Sequence, residues 1–248
     1  MDTHKERRVP QERTEAIVLK AIDFSESSSI VTFFTPDRGR LTCMAKGVKR
    51  PKSQLAGLLD TFNRVELLYL WKESRAVQQM TDGTLLERYA GIKENLDKSI
   101  YGAFLIEMMY RIAHENEPSH DLFGEYVDGM AGLDVWTGEV CMHVCWQAYR
   151  LLTVSGFSPT LRECCQCGKE TSKDVAFSYD GGVTCPACAA DVRIDQGTYQ
   201  TLLAIGDGTE CPRLKGGEKV FQLLRYFTSR QLECDFRSAR VIEQMVNA

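Results

Sequence analysis

The chain has 248 residues, 44% hydrophobic and 26% charged, a balance that fits folded domains and excludes a disordered or fibrous chain. No apolar run is long enough to span a bilayer, and the leading MDTHKERR has no apolar segment behind it, which argues against a secretory signal and points to the cytoplasm. The net charge of −4 and sequence pI of about 5.7 exclude a uniformly basic nucleic-acid binder, so any such role rests on how the charge is distributed.

Residues 14–83 read as β. Thr14–Ala21 alternates, Ser29–Thr35 (SIVTFFT) is β-branched and aromatic, and Arg40–Ala45, Phe62–Trp71 and Arg75–Thr81 follow. Pro36-Asp37-Arg38-Gly39 supplies a tight turn. Five short strands fit an OB-fold barrel over residues 1–83. From Leu85 the apolar period changes to three and four, marking helices around Ile100–Ile112, Leu122–Leu133 and Val140–Leu152. Gly156 is placed to end the third, with Pro159 beyond it. Helical pattern returns at Gln196–Ile205, Glu218–Arg230 and Phe236–Val246. The expected class is α+β: an OB-fold barrel at 1–83, a helical domain in two parts at 84–159 and 193–248, and a cysteine-rich module at 160–192 inserted between them.

That module holds the most specific local signal. Cys164 and Cys167, then Cys185 and Cys188, form two C-x2-C pairs separated by 17 residues, within the four-cysteine zinc range. A reducing compartment does not favour disulfides, and paired cysteines there point to metal. Two intervening residues let both thiolates of a pair reach one ion, and four sulfurs close the tetrahedron with no position left for water. The expected cofactor is one structural Zn2+ held by Cys164, Cys167, Cys185 and Cys188. The competing reading, free buried thiols, is outweighed by the paired spacing. Cys165 has only one residue before Cys167 and is assigned as a bystander. Phe177, Ser178, Gly181 and Gly182 suggest a small hairpin, as in a zinc ribbon.

The second signal is electrostatic. Arg38–Leu59 contains no Asp or Glu but carries Arg38, Arg40, Lys46, Lys49, Arg50 and Lys52, so the remainder of the chain bears −10. These six are the candidate DNA-binding residues. No phosphate-cradling glycine loop is present, so their contacts would be diffuse and independent of base sequence. A solvated basic face is the competing reading. Tyr69 and Trp71 share one face of a strand and could stack bases, although core packing is the role favoured for both.

Nothing assembles into an active site. His114-Glu115 does not continue as H-E-x-x-H, and Cys141, His143 and Cys145 lie on a helix with His143 pointing to a different face. No nucleophile elbow or dinucleotide fingerprint occurs. The expectation is a protein that is not an enzyme and has no small-molecule substrate or membrane partner.

Several segments together resemble the RecO family of bacterial recombination mediators: Thr14–Leu19 (TEAIVL), Ser25-Glu26-Ser27, Phe34–Gly39 (FTPDRG), Lys46–Ser53 (KGVKRPKS), the cysteine pairs after the Gly156–Pro159 turn, and Phe236–Arg240 (FRSAR). The resemblance spans nearly the whole chain, and it lies in the order of the motifs more than in any one of them. It implies an OB-fold, a helical domain and an inserted zinc module. It also implies binding of single- and double-stranded DNA, annealing of complementary strands, and partnership with RecR and the single-stranded DNA-binding protein in loading RecA. The implied location is the cytoplasm, on the nucleoid. A zinc-ribbon adaptor for an acidic protein, or a metal-dependent nucleic-acid enzyme, are the alternatives.

Overall fold

The N-terminal segment forms five strands: β1 (Gln11–Asp23), β2 (Ser29–Thr35), β3 (Gly39–Ala45), β4 (Arg64–Leu70) and β5 (Gln78–Glu87), with one 3-10 turn at Ala56–Leu58. This computed structural model describes residues 9–50, 53, 55–171 and 173–246. The strands close into a barrel in the order β1-β2-β3-β5-β4. Every neighbouring pair is antiparallel except β3 and β5, which run parallel through Cys43↔Gln78 to Ala45↔Met80.

Alternation explains the core. Ala16 and Val18, Val31 and Phe33, Leu41 and Cys43, and Val65, Leu67 and Tyr69 point inward from successive strands and form one buried cluster. β1 serves two neighbours. Gln11–Ile17 pairs with β4 and Ile17–Asp23 with β2, and the register shifts between Val18 and Lys20. An extra residue at such a bulge bends the strand, which lets one segment cross from one side of the barrel to the other. β1 and β5 run longer than alternation indicates. Their added residues, such as Thr84↔Glu66 and Glu87↔Arg64, are held by ladder hydrogen bonds that hydropathy does not register.

The β2–β3 turn is built as its residues demand. Gly39 has φ +58, and a Cβ there would lie 2.2 Å from the His114 carbonyl oxygen. Only glycine meets both conditions without strain. The close approach arises because Ala113–Phe123 belongs to the barrel unit. Arg40 N donates to His114 O at 3.0 Å, Asn116 N to Arg38 O at 2.9 Å, and Ser119 N to Pro36 O at 2.9 Å.

The second unit comprises Ala90–Ile112 and Gly124–Ala248. Its elements are α1 (Ala90–Lys93), α2 (Leu96–Ile112), α3 (His120–Val135), α4 (Val140–Val154), β6 (Ala176–Ser178), β7 (Gly182–Thr184), β8 (Val192–Arg193), α5 (Gln196–Asp207), α6 (Gly217–Gln231) and α7 (Arg237–Val246). α4 packs against α6, α2 and α5, and α7 packs on α2. Phe104 sits edge-on to both Phe221 and Phe236, with ring centroids at 5.1 and 5.0 Å. α4 ends in a Schellman cap: Gly156 has φ +77, Phe157 N donates to Leu152 O at 2.7 Å, and Gly156 N donates to Thr153 O at 3.1 Å. Among the described residues, no helix is long and apolar enough to cross a membrane.

Candidate metal centre and nucleic-acid face

The cysteine module is a three-stranded sheet in the order β7-β6-β8. The β6–β7 hairpin pairs Phe177 with Val183, and β8 adds a third strand that the sequence did not reveal. Two turns deliver the thiols. In the first, Gly168 N donates to Cys164 O at 2.8 Å, and Gly168 takes φ +71 just after Cys167. In the second, Cys188 N donates to Cys185 O at 3.1 Å.

These turns bring Cys164, Cys167, Cys185 and Cys188 together, with all four Sγ atoms within 4.8 Å of one another. Among the described residues this is the one group of three or more such side chains whose ligand atoms converge. Cys167 Sγ and Cys185 Sγ are 3.7 Å apart. A tetrahedral ion with metal–sulfur bonds of about 2.3 Å requires sulfur–sulfur edges of about 3.8 Å, so the set is of the right size. Its chemistry agrees. Backbone N–H groups, that of Cys185 foremost and then those of Cys167 and Gln166, hold the Cys164 thiol down at about 6. The adjoining sulfurs of Cys167, Cys185 and Cys164 push Cys188 up to about 12. Four thiols this close cannot all ionise unaided, and a divalent cation at their centre removes that conflict. The cluster could therefore hold a metal ion, with no ligand position left open.

Cys165 stands outside the cluster. Its N–H donates to Val183 O at 2.8 Å, and its Sγ lies 3.8 Å from Gly182 O. Burial raises its thiol pKa. On α4, Cys141 and Cys145 are buried, and Cys145 Sγ lies 3.6 Å from Gly217 O. The intervening His143 donates from Nε2 to Gly129 O at 3.0 Å. The three do not converge.

The basic segment is less uniform in space than in sequence. Arg38 donates to both carboxylate oxygens of Glu12, at 3.0 and 3.1 Å. Burial is the largest single influence on its guanidinium and opposes the charge, but Glu12 and Tyr69 together outweigh it and raise the pKa. Arg40 faces Glu115 at 3.6 Å, and Lys49 Nζ lies 2.8 Å from Asp23, holding that carboxyl below its ordinary range. So the absence of acids within residues 38–59 does not leave these cations unopposed, because strand pairing and the 113–123 segment bring carboxylates from elsewhere. Lys46 and Arg50 are exposed, in the turn held by Arg50 N donating to Gly47 O at 3.1 Å. Lys52 lies outside the described residues.

Glu12 is the residue that a linear reading overlooks. The signal that finds it is register: Glu12 pairs with Tyr69 across β1 and β4, and the Tyr69 hydroxyl donates to Glu12 Oε2 at 2.7 Å. Tyr69 is in the core, and burial followed by Glu12 raises its pKa. Trp71 is half-buried against that core, with the Arg38 Cζ 4.0 Å over its ring centroid.

Comparison with known proteins bears on both regions. Residues 9–89 match the family model "Recombination protein O N terminal", and residues 93–240 match "Recombination protein O C terminal". Curated relatives named "DNA repair protein RecO" include one from Syntrophomonas wolfei, 27% identical over 87% of each chain, and one from Pelotomaculum thermopropionicum, 25% identical over 95% of each. A third, from Rhodopirellula baltica, is 30% identical over 70% of this chain and 65% of its own length. The two family matches take in both structural units almost entirely, and the chain belongs to the RecO family of DNA repair proteins.

Proposed function

We propose that this protein is a non-enzymatic recombination mediator that binds single- and double-stranded DNA and anneals complementary strands. It would act with RecR to help load RecA onto DNA coated by single-stranded DNA-binding protein, in the cytoplasm on the nucleoid. The observation that carries this reading is a closed five-stranded barrel bearing exposed Lys46 and Arg50 on one turn, in a chain of a DNA repair family. The strand order β1-β2-β3-β5-β4 with β3 and β5 parallel supports assigning residues 1–83 to an OB-fold, a scaffold that often binds oligonucleotides. Residues 84–159 and 193–248, less the barrel unit's own Thr84–Tyr89 and Ala113–Phe123, are assigned to the helical domain, and 160–192 to the zinc module.

Annealing needs no covalent step. Two strands repel through their phosphates, and cations on one face screen that repulsion while concentrating both strands. Lys46 and Arg50 provide the freer charge in this reading, and Lys52 is assigned to the same face from the sequence. Arg38, Arg40 and Lys49 belong to the same assigned face, with their charge already met by carboxylates. Zn2+ held by Cys164, Cys167, Cys185 and Cys188 ties the two ends of the module together without taking part in DNA chemistry.

Fluorescence anisotropy with labelled single strands tests the face. Reversing both Lys46 and Arg50 to Glu is expected to weaken binding and flatten its log-log salt slope by about two. Unchanged affinity and slope would remove the assigned face.

A further inference from the structure

We infer that Arg38, held over Trp71 by Glu12, is a stacking site for one unpaired nucleobase and not another phosphate contact. The inference rests on the DNA-binding reading above and gives that surface a preference among DNA forms.

The geometry is built from two strands and a turn. β1 contributes Glu12, β4 places Tyr69 opposite it and Trp71 just beyond its end, and the β2–β3 turn contributes Arg38. The Arg38 Cζ stands 4.0 Å over the Trp71 ring centroid, well within the range of a cation–π contact. Glu12 fixes it there, accepting from one guanidinium nitrogen with both carboxylate oxygens while also accepting from the Tyr69 hydroxyl. Trp71 is braced from within by Tyr69, edge-on at 6.4 Å and 89°. Yet the outermost layer is not sealed, since the Arg38 side chain is 32% exposed.

Two physical consequences follow. Glu12 already matches the Arg38 charge, so a phosphate gains little by approaching it. The planar surface of the guanidinium remains, is fixed in orientation, and is weakly hydrated, which suits it to stacking against a flat aromatic ring. A nucleobase is such a ring, and in duplex DNA its faces are already stacked on neighbours. The site therefore favours strands with unpaired bases. The cations of Lys46 and Arg50 are carried on the following turn of the same barrel and can hold the backbone.

The test compares the intact protein and its variants on oligo(dT) and on an abasic strand of equal length, by anisotropy at fixed salt. The wild type is expected to bind oligo(dT) about tenfold tighter than the abasic strand. Arg38→Lys retains the charge but not the plane, and is expected to lose most of that preference while binding the abasic strand as before. Unchanged zinc content and Tm in Arg38→Lys check that its loss of preference is not a failure of folding. If Arg38→Lys binds oligo(dT) as the wild type does, Arg38 is an ordinary phosphate contact and the inference is overturned. It is also overturned if the wild type makes no distinction between the two strands. Failure of the wild type to bind either strand would instead overturn the DNA-binding reading itself.

Discussion

Cys164 and Cys165 are neighbours with opposite surroundings. Cys164 joins three other sulfurs and accepts backbone N–H bonds that favour its thiolate. Cys165 is turned toward the Gly181–Gly182 corner, where a Cβ on Gly181 would lie 3.1 Å from its sulfur. A structural metal couples directly to folding, so Cys164→Ser is expected to purify with much less than one zinc per chain and a lower Tm, whereas Cys165→Ser keeps the metal. Equal zinc content and Tm in the two variants would reassign the ligand set. His143 supports a second test. It is buried between the Trp136 and Trp146 rings, its Nδ1 has no hydrogen-bond partner among the described residues, and burial lowers its pKa below the ordinary 6.5. The unfolded chain takes up a proton as pH falls through about 6.5 while the folded protein resists. Stability from a neutral His143 is thus fully present above that pH and is lost below it. Between pH 7.5 and 5.5 the urea midpoint of the wild type is expected to fall more than that of His143→Gln. Parallel curves would show that His143 does not titrate on unfolding.

At the scale of elements, α3 and α4 meet where glycine permits it. A Cβ on Gly129 would lie 1.9 Å from the Gln147 side-chain amide carbon. That amide is fully buried and its Nε2 donates to Glu125 O at 2.8 Å, so it cannot move aside without losing the bond. Gly129→Ala is expected to destabilise the helical unit by about 2 kcal/mol in denaturant unfolding, and a change under about 0.5 kcal/mol would mean the helices separate freely. Most elements were legible because their signals are local. The three-and-four periodicity marked six of the helices within a few residues, and the C-x2-C pairs placed four sulfurs that the fold brings together. What stayed hidden depends on partners distant in sequence. β8 is a two-residue strand defined only by pairing with β6. Ala113–Phe123 lies between helices yet packs on the β2–β3 turn, and Glu12, Asp23 and Glu115 reach the basic segment through register and packing. A charge window along the chain cannot see any of these.

Across the whole molecule, an acidic total of −4 coexists with a local basic turn. If all six cations from Arg38 to Lys52 met single-strand phosphates, the log-log salt slope would approach about −4. With Arg38, Arg40 and Lys49 engaged by carboxylates, two to three contacts remain and the expected slope is about −2. Such weak electrostatics suit a protein that must release DNA after pairing it. The direct measurement is annealing of two complementary fluorescent strands by the purified zinc-loaded protein across a salt series, beside the variant carrying Lys46→Glu and Arg50→Glu. Annealing faster than in protein-free controls, fading as salt rises and lost in the variant, is the expected result. Zinc-loaded, folded protein that fails to speed annealing at any salt, or that does so equally well in the variant, would contradict strand pairing by this face.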